Sequence, residues 1–341
     1  MTDEAYFPLE GVEAPAAAFH EALARGRLHH AWLLTGPEGA GKASFAHRAA
    51  RLLLGAKSDL AYGPLGSSPE DPVNRLLAAG AHPDFLAVDR RGEDGKLRKT
   101  IAVDDIRRLP DMFAKAPALA PYRVAIIDAA DDLGPGAANA LLKTLEEPPP
   151  RGILFVISHA PGRLLPTIRS RCRRLAFPAW PEAKLAAWLE RRGVGPDIAF
   201  RLAELAAGAP GRALKLWEED AASVDAAARA LLMQAPSFDR ALAAQASDSF
   251  RDPGRGQARF DLWVECLCDQ IRRAVAADPP LADAGLERWS AAWTRLMNLP
   301  GETAGLNLDR ADAFSVLLAE IVAAARLRPF ADLAAAPLAF G

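Results

Sequence analysis

Ala31-Trp-Leu-Leu-Thr35, followed at once by Gly36-Pro-Glu-Gly-Ala-Gly-Lys42, is the stretch on which the fold turns. An uncharged run ended by a glycine reads as a buried strand. The turn after it spaces Gly36, Gly41 and Lys42 as Gly-x4-Gly-Lys, with Gly39 between them. Beyond the turn, Phe45, Ala49, Leu52 and Leu53 recur at helical spacing until Gly55. Strand, glycine turn and helix together form the setting in which this spacing holds phosphate. Glycines let backbone N–H groups turn inward, the helix N-terminus adds a positive end, and the lysine reaches the terminal phosphates. One position departs from the pattern. Ala43 stands where a Ser or Thr hydroxyl would hold Mg²⁺, and Ser44 lies about 100° further around the helix. The loop therefore keeps its phosphate-binding backbone and loses part of its metal site.

Working outward, Tyr122-Arg-Val-Ala-Ile-Ile-Asp128 is a second apolar strand that ends in an acid. Asp128 is placed where a carboxylate would bind Mg²⁺, and Ala129 follows where many ATPases carry a glutamate that orients water. Ile153-Leu-Phe-Val-Ile157 is a third buried strand, and Asp84 to Asp89 is a further candidate. Helices are expected from Pro15 to Ala24, after a cap at Asp104 or Asp105, and after Gly134-Pro135. The last carries Ala138, Leu141, Leu142 and Leu145 on one face and stops before Pro148-Pro149-Pro150. Apolar strands alternating with helices predict an α/β domain with a parallel sheet. From Phe177-Pro178 onward only helical periodicity remains, so the rest of the chain reads as all-α.

Composition narrows the function. The chain has 341 residues, a net charge of −2, 50% hydrophobic and 25% charged residues, which suggests about two or three domains. No apolar run approaches the ~18 residues of a membrane span. The acidic start MTDEAYFPLEG lacks the basic and apolar regions of a signal peptide, so a cytoplasmic location is expected. Near-neutral charge argues against a protein that coats nucleic acid by itself. Three cysteines, Cys172, Cys266 and Cys268, make neither a disulfide framework nor a four-Cys zinc site.

Asn139-Ala-Leu-Leu-Lys-Thr-Leu-Glu-Glu-Pro-Pro149, then a strand, then Ser170-Arg-Cys172, resembles the clamp-loader branch of the AAA+ ATPases of bacterial DNA polymerase III. Within it the chain looks most like the non-motor, delta-prime branch: its phosphate loop is imperfect, Ala129 replaces a glutamate, and Ala79-Gly-Ala-His-Pro-Asp84 has that branch's form. The resemblance implies a P-loop AAA+ domain over 1–178, a small helical lid over 179–235 and a helical collar for oligomerisation over 236–341. It implies a hetero-oligomer with gamma/tau and delta subunits that serves the sliding clamp and primed DNA in replication. Arg171 would be an arginine finger for a neighbour's ATP, and Ser158 the polar residue that senses phosphate at a strand end. Gly36, Gly39, Gly41, Lys42 and Asp128 would form the chain's own degenerate nucleotide site. That site would hold phosphate, ADP or ATP at most, with no cofactor required. Many members of the family it resembles carry a four-Cys zinc module between the loop and the His-Pro-Asp segment. Residues 55–80 contain no cysteine here, so no zinc is expected. Gly208-Ala-Pro-Gly-Arg-Ala-Leu214 puts Gly211 where active members have a lid arginine, with Arg212 one position later. The chain's own ATPase is therefore expected to be weak or absent, with an active gamma/tau-like motor as the alternative. A nucleoside kinase would give the Asn139–Pro149 and Ser170–Cys172 runs no role.

Overall fold

The computed structural model describes residues 9–91, 97–277 and 284–334. Five parallel strands form one sheet: β1 (Ala31–Thr35), β2 (Phe85–Asp89), β3 (Arg123–Asp128), β4 (Gly152–Ser158) and β5 (Arg173–Ala176). Their spatial order is β2-β3-β4-β1-β5. After β1 the chain crosses to the far edge, returns through β3 and β4, and passes β1 again to place β5. Helix α1 (Glu13–Ala24) precedes β1, and α2 (Lys42–Leu53), α3 (Pro72–Ala78), α4 (Val103–Phe113), α5 (Pro135–Glu146) and α6 (Pro166–Ser170) connect the strands.

The apolar runs take this form because alternate residues fill two different cores. Trp32, Leu34, Val124, Ile126, Phe155 and Ile157 pack with Phe19 of α1 and Phe45 of α2 on one face. Leu33, Ala125, Ile127, Leu154 and Val156 pack with Ile106 of α4 and Leu141 of α5 on the other. A strand buried on both faces has no polar alternation, which explains its continuous hydrophobic reading. Asp104 and Asp105 lie in the first turn of α4, with Ala102 as N-cap, so neither caps the helix as expected. They still complement its positive end.

Where the strands begin, Asp84 is fully buried and accepts from the amides of Ala118 (2.8 Å), Leu119 (2.7 Å) and Ala120 (3.1 Å). Arg123 pairs with it at 3.3 Å and donates to the carbonyls of Met112 and Ala116. The pair ties the end of α4 and the loop before β3 to the start of β2. Burial pushes the Asp84 carboxyl up, yet the three amides and the guanidinium outweigh it and hold it below its ordinary value.

The remaining helices are α7 (Glu182–Glu190), α8 (Pro196–Leu205), α9 (Pro210–Glu218), α10 (Ala221–Gln234), α11 (Arg240–Ser249), α12 (Gly256–Ala277), α13 (Ala284–Leu306), α14 (Arg310–Leu327) and α15 (Phe330–Ala334). The described residues divide into two compact units. One holds the chain to Leu185 with Ala207–Arg212, the other Ala186–Ala206 with the chain from Ala213. In the second unit Arg201 of α8 bonds Asp225 of α10 (2.6 Å), Asp269 of α12 (2.8 Å) and Glu204 (2.9 Å). Cys266 and Cys268 are buried in α12, and burial pushes both thiols up to about 12, so they pack as inert side chains. No helix among the described residues is long and apolar enough to cross a membrane.

Candidate functional site

The parallel register gathers strand ends at one edge, with Thr35 opposite Ser158 and Asp89 opposite Asp128. Open parallel sheets bind ligands at this edge. Gly36 to Gly41 leave β1 there, with Gly39 at φ +79° and Gly41 at φ +87° as the N-cap of α2. Both angles lie in the left-handed region that glycine adopts without strain. Lys42 is buried, and its ammonium donates to the carbonyls of Gly36 at 2.7 Å and Pro37 at 2.5 Å. Burial pushes its pKa down to about 8, against the opposing pull of the Asp128, Asp131 and Glu38 carboxylates. Burial also raises the Asp128 carboxyl, while His159 and Lys42 pull it the other way.

The Ala207–Arg212 segment lies against this loop. The Gly211 amide donates to the Gly39 carbonyl at 2.8 Å. A Cβ at Gly39 would come within 2.5 Å of the Arg212 nitrogen, and one at Gly211 within 3.0 Å of the Gly39 oxygen. Glycine at 211 thus has a packing reason: the loop's backbone at Gly39 occupies the space a side chain there would need.

Ser158 is fully buried at the end of β4, and its hydroxyl donates to Asp131 at 2.9 Å. Asp131 also accepts from the amides of His159 (2.5 Å) and Ala160 (3.1 Å). The sequence shows Asp131 as an acid near Asp128 but three residues further along, which gives it no role by spacing alone. An acid just past one buried strand and level with the polar end of its neighbour was the available signal.

Whether these residues suit Mg²⁺ with a nucleotide is decided by their donors. The loop supplies backbone N–H groups and Lys42. Ala43 offers no oxygen, Ser44 is exposed, and Ser158 already serves Asp131. The set fits a phosphate and does not complete a metal site. Among the described residues, no group of three or more His, Cys, Asp and Glu is placed to hold a metal ion.

Arg171 sits elsewhere. It caps the C-terminus of α6, pairs with Glu146 of α5 at 3.0 Å, and donates to the Thr167 carbonyl at 3.1 Å. Cys172 beside it is half-buried, and burial pushes its thiol up to about 12. Arg173 lies over the Trp32 ring at 4.9 Å, and Arg174 donates to the Thr35 hydroxyl at 2.9 Å. Arg173-Arg-Leu-Ala176 is the edge strand β5, beyond the three apolar strands and the Asp84–Asp89 candidate that the sequence marked.

A parallel sheet whose β1 opens through a glycine loop into a helix defines a P-loop α/β protein of the AAA+ class. Residues 12–181 match the family described as DNA polymerase III, delta subunit, and through this segment the chain belongs to it. DNA polymerase III subunit delta′ of Pseudomonas aeruginosa is 41% identical over 168 residues, covering 49% of this chain and 48% of the relative. Subunit delta′ of Escherichia coli is 35% identical over 198 residues, 57% of this chain and 56% of its own length. The gamma/tau subunit of Mycobacterium tuberculosis is 37% identical over 193 residues, 55% of this chain and 32% of its own length. The chain thus spans about half the length of the delta′ relatives it matches. A gamma subunit-related protein of Thermotoga maritima aligns with 92% of this chain and 99% of its own at TM-score 0.46 and 17% identity.

Proposed function

We propose that this chain is a delta-prime-like subunit of the DNA polymerase III clamp loader. It works in a hetero-oligomer with gamma/tau and delta subunits that places the sliding clamp on primed DNA. Its own phosphate loop holds at most phosphate or nucleotide, and Arg171 completes the ATP site of an adjacent motor subunit. The three-part division at 178 and 235 belongs to the same reading, with the last part as the oligomerisation collar.

The observation that carries it is a separation. β5 pairs with β1 so that Trp32 faces Arg173 and Thr35 faces Ala176. Arg171 precedes the start of β5, while the phosphate loop follows the end of β1. At ~3.3 Å per residue, about 16 Å of strand lies between them. An arginine at that edge suits a phosphate held by another chain. Its charge is permanent and its planar fork matches phosphate oxygens, so it stabilises the charge that spreads over a transferring γ-phosphoryl group.

The test is to reconstitute the assembly with wild-type or Arg171→Ala chain at matched stoichiometry. DNA-stimulated ATPase and clamp loading should fall by about ten-fold. That is short of the ~10³–10⁵ that such arginines give GTPases, because one of several sites is lost. Arg171→Lys should restore little, since a flexible ammonium lacks the fork. Unchanged rates would remove the finger. ATP turnover by the isolated chain, abolished by Lys42→Ala, would favour the motor reading instead.

A further inference from the structure

We infer that Glu146 is a positioning residue for Arg171; this rests on the reading of Arg171 as a finger. Glu146 is the last residue of α5, and Pro148-Pro149-Pro150 prevents the helix from continuing. An acid there faces the negative end of the helix dipole, an unfavourable local choice that needs a compensating partner. Arg171 is that partner: its Nη2 lies 3.0 Å from Glu146 Oε1. Both backbones are anchored in one place. Leu145, adjacent to Glu146, and Ile168, one turn before Arg171, are buried in the same apolar cluster. The carboxylate is thus delivered to the guanidinium by packed elements.

The contact leaves the arginine able to work. A guanidinium carries five N–H donors in a fixed fork. Glu146 and the Thr167 carbonyl engage one nitrogen each and do not exhaust it. An arginine at the end of a five-residue helix otherwise loses about 2 kcal/mol of side-chain freedom when it meets a phosphate. Two contacts from its own chain remove part of that freedom beforehand, which is what preorganisation requires.

The experiment is a double-mutant cycle in the reconstituted assembly with Glu146→Ala, Arg171→Ala and both. Both side chains are partly exposed, and exposed pairs couple weakly. Glu146→Ala should therefore lower the assembly's kcat about two- to five-fold, with KM for ATP, chain melting temperature and assembly unchanged. Glu146→Gln, which keeps an acceptor oxygen, should recover part of the loss. In the Arg171→Ala background, Glu146→Ala should change nothing further. An equal fall in both backgrounds, a rise in kcat, or no change alongside a strong Arg171→Ala effect overturns the role of Glu146 and leaves the finger standing. No effect of Arg171→Ala itself takes down both.

Discussion

The two edges of the sheet treat their charges differently. Where the strands begin, Asp84 and Arg123 are buried and matched to partners in the surrounding loops, so removing either leaves an unanswered charge. Where they end, Lys42 is turned onto the carbonyls of its own loop and carries a depressed pKa, while Asp128 is half-buried with a raised one. The first edge is committed to holding the fold. The second keeps the parts of a phosphate site while its groups answer one another. Arg171, on the first edge, is the exception, because it stays partly exposed.

The largest effect should come from Asp84→Asn. Breaking a buried pair by neutralising one member costs about 3–5 kcal/mol, read as a lower urea midpoint. A loss under about 1 kcal/mol would break the contrast between the edges. Because the folded carboxyl lies below its ordinary 3.8, its contribution is complete above that pH and disappears as the pH falls through the folded value. The acid limb of the stability curve should therefore flatten in Asp84→Asn.

At the other edge, Asp131→Ala should cost about 1–3 kcal/mol, since a buried donor loses its acceptor. A near-zero change in thermal unfolding would mean that Ser158 finds another partner. Gly39→Ala should cost about 1–2 kcal/mol from the left-handed backbone alone, and more from the Arg212 approach. Native-state hydrogen exchange would locate that loss at the Gly211 amide.

The smallest effect is a slope. Lys42 has a folded pKa of about 8 against 10.5, so between those values the unfolded chain binds more protons. Its contribution to stability rises with pH by at most about 1.4 kcal/mol per pH unit. Lys42→Met should remove that rise from urea unfolding measured between pH 8 and 10.5. Identical slopes would place the ammonium in a wetter setting than its carbonyl contacts imply.

The parts legible in the sequence were those whose physics is local. β1, β3 and β4 are buried on both faces and wrote uninterrupted apolar runs. The glycine loop wrote its spacing, because only particular positions have φ above zero. β5 was hidden because an edge strand carries charge where a central one carries apolar side chains, and Arg173-Arg174 reads as part of a solvated basic face. The Ser158–Asp131 bond and the Arg171–Glu146 pair span 27 and 25 positions of chain, so no periodicity announces them. Gly211 read as a lid residue out of register; its backbone contact with Gly39 appears only once both segments are folded. In the helical region the sequence gives apolar faces without saying which faces meet.

Trp32 has an optical consequence. Its indole is fully buried in the first core, with the Arg173 guanidinium 4.9 Å from the ring centroid. The nearby positive charge shifts the indole's excited state, so its emission reports where the start of β5 lies. With the chain's other six tryptophans replaced (seven in all), this single fluorophore would become a built-in gauge two residues from Arg171. In the proposed assembly it would register in real time whether that edge moves when a motor subunit takes up or splits nucleotide.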